Sequence, residues 1–222
     1  MIGTGPILAA LKDQSRLTLL IWGGLAVEVL AALITARWLA AYVAASTLLL
    51  SMLPLFFASR LNIRLPRSIV AVAVVFVFAS IFMGEAFGFY ERLWWWDIAL
   101  HGLSAVGFGI AGFLLVFILF EGDRYAAPPW AIGLLATSFG VMIGVLWEIF
   151  EFVMDRTFGM NMQKTGLMDT MGDLIVDVIG AGFGGTMGAL YLRGRALGSF
   201  AALLDAFVAL NRRLFRRIGR KG

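Results

Sequence analysis

The chain has 222 residues, of which 61% are hydrophobic and only 14% charged, and its mean hydropathy is +0.90. A soluble domain carries about 25% charged residues because its surface faces water, so soluble enzymes, disordered tails and disulfide-rich scaffolds are excluded. With no Cys and a single His, the chain also lacks thiolate metal sites, iron–sulfur clusters, cysteine nucleophiles and any bis-histidine haem of its own.

A membrane-spanning helix needs roughly 20 apolar residues to cover a ~30 Å hydrocarbon layer. Six stretches meet that demand: 17–35, 38–58, 68–87, 98–120, 130–152 and 174–192. The first contains Glu28, exceeds the apolar region of a signal peptide and has no small-residue cleavage site behind it, so it reads as a helix. Pro54 predicts a kink in the second. Trp94, Trp95 and Trp96 form an interfacial aromatic belt ahead of the fourth. The longest break, 154–173, separates the fifth and sixth. Gly180, Gly184 and Gly188 place small residues on one stripe of the sixth helix, a pattern of close helix packing. The expected fold is therefore all-α and polytopic, with residues 1–192 as a single six-helix transmembrane domain. Residues 193–222 read as a basic amphipathic cytoplasmic tail. There Leu203, Phe207, Leu210, Leu214 and Ile218 recur every three or four residues among Arg212, Arg213, Arg216, Arg217, Arg220 and Lys221, which suits an anionic lipid surface.

Six spans put both termini on one side. That side collects 14 of the 18 cations; Arg37, Arg92, Arg156 and Lys164 fall on the other. The positive-inside rule places both termini in the cytoplasm, and the expected location is the bacterial inner membrane. The basic residues flank helices and form no nucleic-acid platform.

The acids sort the opposite way. Asp13, Glu121, Asp123 and Asp205 fall inside; Glu28, Glu85, Glu91, Asp97, Glu148, Glu151, Asp155, Asp169, Asp173 and Asp177 fall at the outer ends. Asp97 and His101 are one helical turn apart, as are Asp173 and Asp177, and Glu148 and Glu151 are three apart, so each pair shares a face. Three successive helices thus bring carboxylates to one depth. Carboxylates there must face a wet cavity, share protons or meet a cation. The spacing marks Asp97, His101, Glu148, Glu151, Asp173 and Asp177 as candidate ligands of Mg²⁺, Ca²⁺, Mn²⁺ or Zn²⁺. His101 and Glu148 are the candidates for general acid–base work. A metal-free, proton-sharing cluster paired with Arg92, Arg156 or Lys164 is the competing reading.

Asp97-Ile-Ala-Leu-His101, with Gly107 and Gly109 following, resembles the opening motif of VanZ-like membrane proteins. Trp147-Glu148-x-x-Glu151 and Asp169-x-x-x-Asp173-x-x-x-Asp177-x-x-Gly180 resemble their later acidic motifs, and residues 163–180 are closer still to the YjdF-type inner-membrane family. The resemblance covers roughly residues 94–192. It implies a polar set of Asp97, His101, Glu148, Asp173 and Asp177 in proteins without an established reaction, the VanZ-like ones being linked to glycopeptide tolerance. Asp177 and the long fifth loop depart from the VanZ-like pattern. The leading functional expectation is a divalent-cation site acting on a lipid-linked or envelope substrate. The alternatives are a cation or proton transporter, and a non-catalytic subunit of a larger membrane complex or homo-oligomer in which His101 ligates a pigment.

Overall fold

In hydrocarbon every backbone amide must be satisfied within its own segment, which leaves helices as the economical way for this chain to cross. The computed structural model describes residues 14–120, 127–195 and 197–215, whose regular structure is all helical, with no strand among them. Six helices are long and apolar enough to span a membrane: α1 Arg16–Ile34, α2 Trp38–Arg60, α3 Arg67–Ala86, α4 Trp96–Leu119, α5 Pro129–Phe158 and α6 Leu167–Leu192. A shorter helix, α7 Ser199–Leu210, follows.

Two boundaries differ from the sequence expectation. Helix α5 runs on past residue 152 to Phe158, and α6 starts at Leu167 rather than 174. Polar residues between them are helix-compatible, and only glycine stops each helix. Gly159 (φ +65°) ends α5 with its amide on the Asp155 carbonyl, and Gly166 (φ +65°) precedes α6. The break shrinks to residues 159–166. Helix α2 continues through Pro54.

The described residues divide into two compact units. The first runs to Trp96 and includes Ala202–Asn211. In it Trp22 is buried with Val70 and Val74, and its indole N–H donates to Ser51 Oγ at 2.9 Å. Helix α3 changes character at Val77, its last nine residues, Phe78–Ala86, forming a π-helix. Tyr90, in the single turn Phe89–Arg92, packs directly onto bare Gly84.

The tail also enters this unit. Its buried face is Leu204, Phe207 and Asn211, while Leu210 is exposed. Asn211 is the reason. Its Oδ1 accepts from the Arg64 amide at 2.8 Å, and its Nδ2 donates to the carbonyls of Arg64 and Phe207, each at 2.8 Å. A buried amide so satisfied fixes the end of α7 to the α2–α3 connection. Ile218, Arg216, Arg217, Arg220 and Lys221 lie outside the described residues, as do Lys12, Asp13, Glu121, Asp123 and Arg124.

The second unit runs from Asp97 to Ala201 and takes up the chain again at Arg212. Glycines let its three long helices meet backbone to backbone. A Cβ on Gly184 would lie 2.6 Å from the Val106 carbonyl oxygen and 3.0 Å from the Ile110 nitrogen. On Gly109 it would meet the Ala181 carbonyl at 2.7 Å, and on Gly140 the Gly109 nitrogen at 3.0 Å. On Gly180 it would meet the Gly102 carbonyl at 2.7 Å. Helices α4, α5 and α6 therefore share a seam where backbone meets backbone and the intervening side chains are as small as Ala105 and Ala181.

Candidate metal centre

The cluster sits one to two turns beyond that seam on all three helices. On α4, Gly109, Ala105 and His101 are successive steps of four toward Asp97. On α5, Gly140 leads to Gly144 and Glu148, and on α6, Ala181 leads to Asp177 and Asp173. Steps of four stay on one face, so the backbones that touch at the seam aim these polar side chains at a common point.

His101 is that point. Its Nδ1 lies 3.4 and 3.5 Å from the two carboxylate oxygens of Asp177. Its Nε2 faces three further carboxylates: Glu148 Oε1 at 3.9 Å, Asp97 Oδ1 at 4.0 Å and Asp173 Oδ2 at 4.0 Å. Ligand atoms of Asp97, His101 and Asp173 all lie within 4.8 Å of one another. His101, Glu148, Asp173 and Asp177 are buried, and Asp97 is partly open.

Glu148 stands out among these groups. Its residue is 4% exposed, yet neither carboxylate oxygen has a well-directed hydrogen-bond donor among the described residues. A buried polar group without partners costs a few kcal/mol, so a carboxylate held this way calls for a cation or a proton. Glu151 is also buried, but its Oε1 accepts from the Trp147 indole at 2.9 Å, which holds it beside the ring of four carboxylates around His101.

The remaining acids of the same helix ends organise the chain. Asp155 accepts the amides of Met162 and Gln163 at 2.6 and 2.8 Å, and Asp169 accepts the Lys164 amide at 3.1 Å. These bonds fold the α5–α6 connection.

Three residues that periodicity did not single out complete the site. The bare Cα of Gly144 leaves room for Asp177, whose carboxylate occupies the volume a Cβ would take. Gln163 Nε2 donates to Thr170 Oγ1 at 2.6 Å, and this pair flanks Glu148. Gly144 had a signal in sequence, lying one turn before Glu148 on the same face. The Gln163–Thr170 pair had none.

Chemically, a carboxylate on Nδ1 fixes the imidazole tautomer and turns the Nε2 lone pair toward the other acids, the usual outer support of a metal-ligating histidine. In a tetrahedral shell with bonds of roughly 2.0–2.2 Å the donors lie about 3.3–3.6 Å apart, so Nε2-to-oxygen spans of 3.9–4.0 Å close onto an ion with side-chain shifts of about half an ångström. The Asp97, His101 and Asp173 group can thus ligate a metal.

A family described as "Predicted membrane protein (DUF2238)" matches residues 17–194, a stretch that contains all six long helices and the whole cluster. The chain belongs to this family. DUF2238 membership and six apolar helices make it a multi-pass membrane protein. A relative, an uncharacterised protein of Thermotoga maritima, is 38% identical over 104 residues, covering 47% of this chain and 53% of the relative. The chain thus matches about half the length of that relative, whose bacterial source is consistent with an inner-membrane location for this DUF2238 member. No solved structure matches it.

Proposed function

We propose that this DUF2238 protein binds one divalent cation in the His101 cluster and uses it at the outer membrane–water interface on a lipid-linked or envelope substrate. The observation that carries the reading is the geometry at Glu148. A buried carboxylate with no well-directed donor, flanked by Gln163 and Thr170, faces Nε2 of His101 beside two more carboxylates, while Asp177 holds the far side of the ring.

The donor set favours Mn²⁺ or Zn²⁺. Imidazole is a good ligand for first-row transition metals, whereas Mg²⁺ and Ca²⁺ prefer shells made entirely of oxygen. Asp97, His101 and Asp173 hold the ion with Glu148 beside them as a further donor that is also placed to take a proton, and Asp177 orients His101. When bound, such an ion supplies Lewis-acid polarisation of a phosphoryl or carbonyl oxygen and acidifies a bound water. The excess of cations at one set of helix ends supports a cytoplasmic location for both termini and an outward-facing cluster. The motif likeness to VanZ-like and YjdF-type proteins supports an envelope setting.

Transport has less support. On the side of Asp177 away from Asp173, glycine seats backbone on backbone at Gly180 and Gly184, where a conduction path would need polar lining. Pigment ligation also has less support, because Nε2 is faced by three carboxylates rather than open space.

Elemental analysis of the purified protein tests the proposal. The wild type carries about one equivalent of Mn²⁺ or Zn²⁺, and Asp173→Asn and His101→Ala lose it while remaining monodisperse. A monodisperse, helical wild type that holds no metal after dialysis against either ion overturns it.

A further inference from the structure

We propose that the first unit carries a separate lipid site: a groove that takes one acyl chain of a zwitterionic, phosphoethanolamine-type lipid and holds its headgroup on the Glu28–Arg37 pair. The groove has a volume of about 670 Å³, within the range of small-ligand sites, roughly 300–1,000 Å³. One wall is α1, from Leu20 through Gly24 to Glu28, a length of about 12 Å at 1.5 Å per residue. The opposite wall comes from the π-helical end of α3, where Phe78 and Phe82 stack at 5.3 Å. A π-helix is rare and tends to mark functional positions. Here its wider turn places an aromatic wall along the groove.

The polar end selects the ligand. Arg37 Nη2 donates to Glu28 Oε1 at 3.1 Å and Arg37 Nε to Thr35 Oγ1 at 3.0 Å, and both members of the ion pair stay partly exposed. One acid and one base side by side complement a headgroup that carries a phosphate and an ammonium. A purely anionic headgroup would meet the Glu28 carboxylate as a like charge. The floor fits an alkyl chain, because Gly24 lines the groove and a Cβ there would touch nothing within 4 Å. Adjacent Gly23 is just as uncrowded but lies outside the groove, which supplies a matched control on the same helix.

Native mass spectrometry of the full chain in detergent, titrated with palmitoyl-oleoyl phosphatidylethanolamine or phosphatidylglycerol, reads the site directly. The wild type retains one phosphatidylethanolamine and binds phosphatidylglycerol about tenfold more weakly. Gly24→Leu fills the groove and weakens phosphatidylethanolamine binding by about tenfold or more, while Gly23→Leu leaves it unchanged. Glu28→Gln removes the preference between the two lipids and covers the case in which Gly24→Leu does not fold. Equal affinity for both lipids in the wild type overturns the proposal, as does equal behaviour of the two glycine variants; either result describes ordinary lipid packed around the helices. The metal content of all these variants stays at the wild-type level, so this test and that of the His101 cluster fail separately.

Discussion

Gly184→Ala lowers the melting temperature of the detergent-solubilised protein by roughly 10 °C, while Gly172→Ala on the same helix leaves it unchanged or slightly raised. The difference lies in what the added methyl meets. At Gly184 it would lie 2.6 Å from a carbonyl oxygen and 3.0 Å from an amide nitrogen of α4, and backbone cannot swing aside as a flexible side chain can. Helices α4 and α6 must separate, at a cost of about 3 kcal/mol. At Gly172 nothing lies within 4 Å, so alanine brings only its better helix propensity, about 1 kcal/mol. Circular dichroism melts of the two variants decide the matter. The seam also sets the distance between Asp177 and His101, so Gly184→Ala loses metal as well as stability. Equal melting temperatures for the two variants would mean that the helices are not in backbone contact.

Glu148→Gln changes the sign of its effect with metal. In chelator-treated protein, the wild type buries a carboxylate with no well-directed donor, and an amide of the same shape removes that charge. The variant is therefore more stable than the wild type, by about 1–3 kcal/mol. With Mn²⁺ or Zn²⁺ present the order reverses. A ligand at a thousand times its dissociation constant stabilises the wild type by about 4.1 kcal/mol, more than the roughly 1–3 kcal/mol at stake, and the variant, with one donor weakened, receives little of that. Melting curves with chelator and with metal supply both comparisons. Destabilisation by Glu148→Gln in both conditions would assign the residue a purely structural hydrogen-bonding role.

Periodicity carried the sequence reading a long way because the site is built from single-helix spacings. Asp97 with His101, and Asp173 with Asp177, are each one turn apart, so a shared face follows from helix geometry alone. Charge sorting then brought Glu148 to the same depth. The partnerships between helices were beyond that reach. Gly144 and Asp177 are 33 positions apart in the chain, and nothing local says that one makes room for the other. The two nitrogens of His101 have different neighbours only because α5 and α6 approach from different sides. Helix ends were misplaced for a plainer reason. Residues 153–158 and 167–173 are too polar to extend a hydropathy window, yet they contain no proline and the helices continue through them to glycines with positive φ at 159 and 166. In the tail, periodic apolar residues suggest a helix lying on an anionic lipid surface, whereas Leu204, Phe207 and the polar Asn211 are buried and Asn211 bonds to Arg64.

The glycine seam has a consequence for chemical choice. Because α4, α5 and α6 are already at backbone contact beneath the cluster, the cage of oxygens and nitrogen around Nε2 has a nearly fixed aperture and cannot breathe to suit its guest. On the proposed metal reading, discrimination among ions of equal charge then falls to the donors themselves: Mn²⁺ and Zn²⁺ accept the imidazole, whereas Ca²⁺, which needs about six to eight oxygens, binds more weakly. A competition measurement in which Ca²⁺ displaces bound Mn²⁺ at comparable concentration would show a pliable cage instead.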